Sequence, residues 1–128
     1  MKKIIIKPAV IGLGYVGLPI FLNLQSKINT IGYDIDTSRV KDLNLKRDFN
    51  REYKKNALNL KKKSVITSNK KLLIKCNFFI VTVPTPIHNN YIPDLSFLKK
   101  SCEILGKLIK KNNIIFFEST VFPGVTEN

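Results

Sequence analysis

Three glycines, Gly12, Gly14 and Gly17, stand two and three residues apart in the stretch AVIGLGYVGLPI. An apolar run ends just before them and a helix-forming run begins just after. That placement suits a turn whose backbone N–H groups meet a phosphate. Gly12 permits the tight turn, Gly14 lets an anion approach without meeting a side chain, and Gly17 lets the next helix pack closely on the strand. The helix N-terminus adds unpaired N–H groups and the positive end of its dipole. A bare structural turn would use the same glycines, so a second signal is needed. Asp34 supplies it, 22 residues after Gly12 at the end of the apolar segment NTIGYD. A carboxylate there can accept hydrogen bonds from both hydroxyls of a ribose, and it repels a 2′-phosphate. Together the two signals read as a dinucleotide site that prefers NAD to NADP. Asp36 lies beyond the strand and reads as a turn or cap residue.

Other reactive residue types carry less. Cys76 and Cys102 have neither metal-ligand spacing nor a CxxC pairing. Cys102 falls on an apolar stripe with Leu95, Leu98, Leu105 and Ile109, which predicts a buried thiol on a helix. His88 stands in a polar loop with no evident partner and is not read as catalytic. Glu118 ends an apolar run, where an acid serves either structure or substrate. The net charge of +13 comes from dispersed lysines without interleaved aromatics, so it reads as a solvated surface and not as a nucleic-acid footprint.

The elements that must hold these residues alternate. Short apolar runs at Lys7 to Ile11, Asn29 to Asp34, Val65 to Thr67, Phe78 to Val83 and Ile114 to Ser119 read as strands. Helical patterns fall between them, at about Tyr15 to Ser26, Ser38 to Leu45, Lys70 to Lys75 and Leu95 to Lys110. Thr37 or Ser38 is the expected cap of the second helix and Asp94 that of the last. Lys46 to Lys63 is polar and resists assignment. This rhythm predicts an α/β fold: a Rossmann-type, doubly wound parallel sheet of about five strands with right-handed crossovers. A six-stranded dinucleotide fold needs one more unit, so the chain reads as the partial form of such a domain. Ligands of open parallel sheets bind beyond the strands' C-terminal ends, where all the candidate residues emerge.

The motifs GLGYVGLP, GYDID, VTVPTPI, PDLS and ESTVFPGVTE, in that order, resemble the N-terminal domain of the UDP-glucose/GDP-mannose dehydrogenase family. The wording VPTPI, PDLS and ESTVFPG is most similar to bacterial UDP-N-acetylhexosamine 6-dehydrogenases of surface-polysaccharide synthesis. The resemblance covers nearly the whole chain and is weakest over Lys46 to Lys63. It implies oxidation of a nucleotide-sugar C6 alcohol to the carboxylate with two NAD+, in a homodimer of the intact protein. It also implies that Gly12, Leu13, Gly14, Tyr15, Val16 and Gly17 form the pyrophosphate turn. Asp34 would hold the adenosine ribose, and Arg39 would lie over the ribose or adenine. Val83, Pro84 and Thr85 would border the cofactor after the fourth strand, and Ser119 and Thr120 after the fifth. The family's nucleophilic cysteine, dimerising helix and UDP-sugar domain lie beyond position 128, so this chain alone is expected to be inactive. Pro8 departs from the family pattern and predicts a shortened or weakened first strand.

One domain is what 128 residues allow. No apolar run reaches a membrane-spanning length, and Lys7 and Pro8 interrupt the only stretch resembling a signal peptide. The chain therefore reads as cytoplasmic, with no membrane or nucleic-acid partner and no metal. Two other functions fit the same glycines: a 3-hydroxyacid or 6-phosphogluconate type of dehydrogenase, and a non-enzymatic nucleotide-binding module. The wording VPTPI and ESTVFPG argues against the first.

Overall fold

A computed structural model describes residues 2–61 and 63–118. Within them the chain runs β1 (Pro8–Ile11), α1 (Gly17–Gln25), β2 (Ile31–Tyr33), α2 (Thr37–Asn44), β3 (Val65–Thr67), β4 (Phe78–Val81), α3 (Ser96–Gly106) and β5 (Ile114–Phe117). Single 3-10 helices at Lys55–Leu58 and Lys70–Lys75 flank β3. The five strands form one sheet in the order β3-β2-β1-β4-β5, and every pairing is parallel. The order reverses between β1 and β4, which makes a crevice at the strands' C-terminal ends.

β4 and β5 stop short of the ends of their apolar runs, where the chain turns to build the crevice, whereas β3 spans its run in full, Val65 to Thr67. β4 ends at Val81, and Thr82 to Thr85 continue outside the ladder. Pro8 opens β1, the position where a missing N–H costs least. With four residues β1 equals β4 and β5 in length, so the proline has not shortened it. Lys7, just outside, still pairs: its N–H donates to Asn77 Oδ1 at 2.8 Å, and its carbonyl accepts from Asn77 N–H at 3.0 Å.

The sheet buries two clusters. Ala9, Ile11, Phe79 and Val81 face α3, whose Leu98 and Leu105 are buried with them. Val10, on the other face of β1, packs with Leu18 and Phe21 of α1 and with Val40 and Leu43 of α2. Apolar residues at both parities are what a strand covered on both faces requires. Each fully buried Phe or Leu contributes about 1.5–3 kcal/mol.

The cap of α2 is Asp36, whose carboxylate accepts from the Ser38 and Arg39 N–H groups, and neither Thr37 nor Ser38 takes that role. At α3 the cap position is Leu95, while Asp94 accepts from Ser96 N–H at 2.9 Å. Cys102 is exposed, contrary to the stripe it shares with Leu98 and Leu105. The buried face runs through Ser101 instead, whose hydroxyl donates to the Phe97 carbonyl at 3.0 Å and so loses its need for water. The segment between α2 and β3 is tied down at intervals. Leu58 is buried, and Gln25 at the end of α1 accepts from Lys61 N–H at 2.8 Å.

Candidate functional site

The crevice is a cleft of about 550 Å3 lined by the glycine turn, the end of β2, the start of α2, Val83 and Pro84, one face of α3, and Glu118. Its floor is the turn between β1 and α1. Gly12 has φ 97°, a left-handed value that a side chain rarely adopts, and a Cβ there would meet the Thr82 carbonyl at 3.2 Å. At Gly17 a Cβ would collide with the Gly12 carbonyl oxygen and the Thr82 hydroxyl. Gly17 is buried and does not line the cleft, so its part is to let α1 approach the sheet. Thr82 completes this joint by donating to the Gly12 carbonyl at 2.7 Å.

Gly14 differs from both. It lines the cleft, and a Cβ there would meet nothing within 4 Å. Two of the three glycines are therefore required by the protein's own packing, and the middle one is not. Tyr15 and Val16 flank it with 66% and 52% of their surface exposed, on the cleft wall. Leu13 is fully buried, so its side chain belongs to the core and its backbone to the cleft. The N-terminus of α1 has no side-chain cap and no acidic residue in its first turn, so the helix itself supplies no negative charge to its positive end. A phosphate fits such a place.

Asp34, at the end of β2, lines the same cleft. Its Oδ2 accepts from Leu13 N–H and its Oδ1 from Asp36 N–H, each at 2.9 Å, so the carboxylate is held in place before any ligand arrives. A carboxylate oxygen has a second lone pair, and both oxygens retain capacity for hydroxyl donors. Burial and the adjacent Asp34 charge push the Tyr33 phenol upward. Arg39 also lines the cleft, but its guanidinium is engaged: Nε donates to the Leu13 carbonyl and one terminal nitrogen to Asp48, both at 2.8 Å. Its other terminal nitrogen is buried with no acceptor among the described residues. Arg39, expected over the ribose or adenine, is thus a cleft-lining residue clamped between the Leu13 carbonyl and Asp48.

Val83 and Pro84 border the cleft, while Thr85 is not in its lining. Ser119 and Thr120 lie outside the described residues. His88 does have a neighbour, with Nε2 at 3.7 Å from Asp94 Oδ2, in a loop away from the cleft lining. Cys76 is buried, and burial pushes its thiol up to about 11 despite the opposing pull of Lys7. Partial desolvation on the helix surface raises the Cys102 thiol as well, though its residue is exposed. A thiol protonated at neutral pH makes a poor nucleophile.

The structure adds residues that the sequence did not single out. Phe97, Lys100, Ser101 and Ile104 line the cleft from α3. Their spacing of three, one and three is a helix-face signal that was available in the sequence. Thr82 was adjacent to the expected Val83. Asn50 and Asp48 carried no signal, because their roles depend on a partner helix.

Residues 6–128 match the UDP-glucose/GDP-mannose dehydrogenase family, NAD binding domain. The chain belongs to that family. It is 46% identical over 124 residues to a UDP-N-acetyl-D-glucosamine 6-dehydrogenase of Pseudomonas aeruginosa, an alignment covering 95% of this chain and 29% of that protein. A protein of the same name from Salmonella typhi is 38% identical, again over 95% of this chain and 29% of its own length. Among solved structures, a UDP-D-ManNAc dehydrogenase of Pyrococcus horikoshii superposes with a TM-score of 0.83 at 30% identity, over 95% of this chain and 30% of that one. A GDP-mannose dehydrogenase of Pseudomonas aeruginosa in a ternary complex superposes at 0.82 with 25% identity, over 96% and 30%. This domain is a Rossmann-type NAD-binding domain, and it spans less than a third of the length of the relatives it matches.

The cleft suits that cofactor. The side of Gly14 that a Cβ would fill is open, the first turn of α1 carries no acid, and the carboxylate of Asp34 is fixed at the end of β2 beside the glycine turn. No helix among the described residues is long and apolar enough to cross a membrane.

Proposed function

We propose that this domain is the cofactor-binding part of a UDP-sugar 6-dehydrogenase whose substrate is a UDP-N-acetylhexosamine. In that reading the whole protein oxidises the sugar's C6 alcohol to the carboxylate, and NAD supplies the hydride acceptor. The printed activities of the Pseudomonas and Salmonella relatives support the substrate class. Within the domain, the Gly12–Gly17 turn and the start of α1 hold the pyrophosphate, with Gly14 at the point of closest approach. Asp34 holds the adenosine ribose, and its charge disfavours a 2′-phosphate. Val83 and Pro84 border the nicotinamide half. Neither Cys76 nor Cys102 is fitted to attack a sugar carbon, so the covalent chemistry, the sugar site and the dimer contacts are assigned to the remainder of a longer, cytoplasmic protein.

The observation that carries the reading is the open face of Gly14, set between a dipole without a counter-charge and a fixed carboxylate. Calorimetric titration of NAD+ and NADP+ into the folded chain tests it. NAD+ is expected to bind in preference to NADP+. Asp34→Ala should weaken NAD+ by tenfold or more, the size of one lost charge-assisted hydrogen bond, and narrow the preference. A folded chain that binds both cofactors equally, with Asp34→Ala unchanged, would refute the assignment.

A further inference from the structure

We infer that Asp48 is a positioning residue for the cofactor, acting through Arg39 on the glycine turn. The Asp48 side chain is wholly buried, although it lies in the polar segment that follows α2. Its Oδ1 accepts from Asn50 N–H at 3.2 Å and from Arg39 at 2.8 Å. Its Oδ2 accepts from Glu52 N–H at 2.9 Å and Tyr53 N–H at 3.1 Å. The Asp48 carbonyl closes the turn by accepting from Arg51 N–H at 2.9 Å. Burial by itself would raise the carboxyl, but these donors hold it below the ordinary aspartate range, so it stays charged.

A buried ion pair is a costly way to stabilise a surface loop, because desolvation offsets most of the attraction. What this one adds is geometry. With one nitrogen on Asp48, Arg39 has its Nε–H aimed at the Leu13 carbonyl, while the Leu13 N–H donates to Asp34. The two sides of one residue in the phosphate turn are thereby joined to the ribose carboxylate and, through Arg39, to Asp48. The turn built on Asp48 also sets Asn50 in the cleft lining. Asp48 does not itself line the cleft, yet it fixes Arg39, the Leu13 peptide and Asn50 at the adenosine end.

The inference rests on the cofactor reading above, and the test separates the two. NAD+ and AMP are titrated into the folded chain and into Asp48→Asn, and the Leu13 and Gly14 amides are followed by 1H–15N spectroscopy. Asp48→Asn is expected to lose about tenfold in affinity for NAD+ and for AMP alike, and to shift the Leu13 amide resonance. A purely local role in the loop would leave that amide and both affinities unmoved, and that result overturns the inference. A wild-type chain that is folded but ignores NAD+ and AMP overturns the cofactor reading, and with it this one. If Asp48→Asn does not fold, Arg39→Lys takes its place, since it keeps the charge and lacks the Nε–H. Two unfolded variants would make the pair a folding requirement, which also overturns the inference.

Discussion

The half of the sheet built on β1 and β2 and the half built on β4 and β5 come from equally apolar strands, yet they finish differently. On β1, Ala9, Val10 and Ile11 are all buried, because α3 covers one face while α1 and α2 cover the other. On β5, Ile115 and Phe117 pack toward α3, whereas Ile114 and Phe116 keep 54% and 50% of their surface exposed. Four apolar residues in a row are written for cover on both faces. Among the described residues only one cover exists at β5. The rims differ in the same sense. At the β1–β2 end, Asp34 and Arg39 are both locked to Leu13 in the glycine turn by hydrogen bonds between side chain and backbone. This end of the cleft is therefore preorganised by the described residues, and preorganisation reduces the ordering cost of binding.

Truncating the same residue type in different settings sharpens this contrast. Phe79 is fully buried between β1 and α3, and Phe79→Ala should cost about 3–5 kcal/mol in denaturant unfolding. Phe116→Ala should cost about 1 kcal/mol or less, since half of its surface already meets water. Equal losses would mean that the open face of β5 is covered in solution.

The smallest effect expected lies just past α2. Lys46 has φ 59°, a left-handed value taken where the helix ends, with its N–H donating to the Leu43 carbonyl at 2.9 Å. Glycine suits such a helix-terminating position without the Cβ penalty. Lys46→Gly should raise stability by about 0.5 kcal/mol, the relief of strain being partly offset by the greater freedom of the unfolded chain. A lower melting temperature in that variant would show that the Lys46 side chain contributes more than its backbone strain removes.

Legibility followed the range of the interactions. Strand and helix alternation, the glycine turn and Asp34 were readable because their patterns are local and each residue type has one economical use there. The identity of the five strands held, with β3 matching to the residue, while β4 and β5 end earlier than their apolar runs, since pairing stops where the crevice opens. Cys102 was misjudged because a helical stripe at steps of three and four has a parallel neighbour one residue earlier. There Ser101 satisfies its hydroxyl within the helix and takes the buried place. Asp36 was legible as a cap or turn residue, but as the cap of α2 it displaced Thr37 and Ser38. Asp48 could not be found from sequence at all. Nothing near it in the chain shows that Arg39 stands above it, and a buried carboxylate among lysines and asparagines looks like any solvated loop.

The central claim is a division of labour in one turn, in which Gly12 and Gly17 serve the fold and Gly14 serves the ligand. The most direct test is to measure thermal stability and NAD+ affinity together for the wild-type chain, Gly14→Ala and Gly17→Ala. Gly17→Ala should lose about 3 kcal/mol or more, because its Cβ has no space between the Gly12 carbonyl and Thr82. Gly14→Ala should stay within about 0.5 kcal/mol of wild type while its NAD+ affinity falls tenfold or more. A Gly14→Ala chain that is equally stable and binds NAD+ as tightly as the wild type would contradict the account.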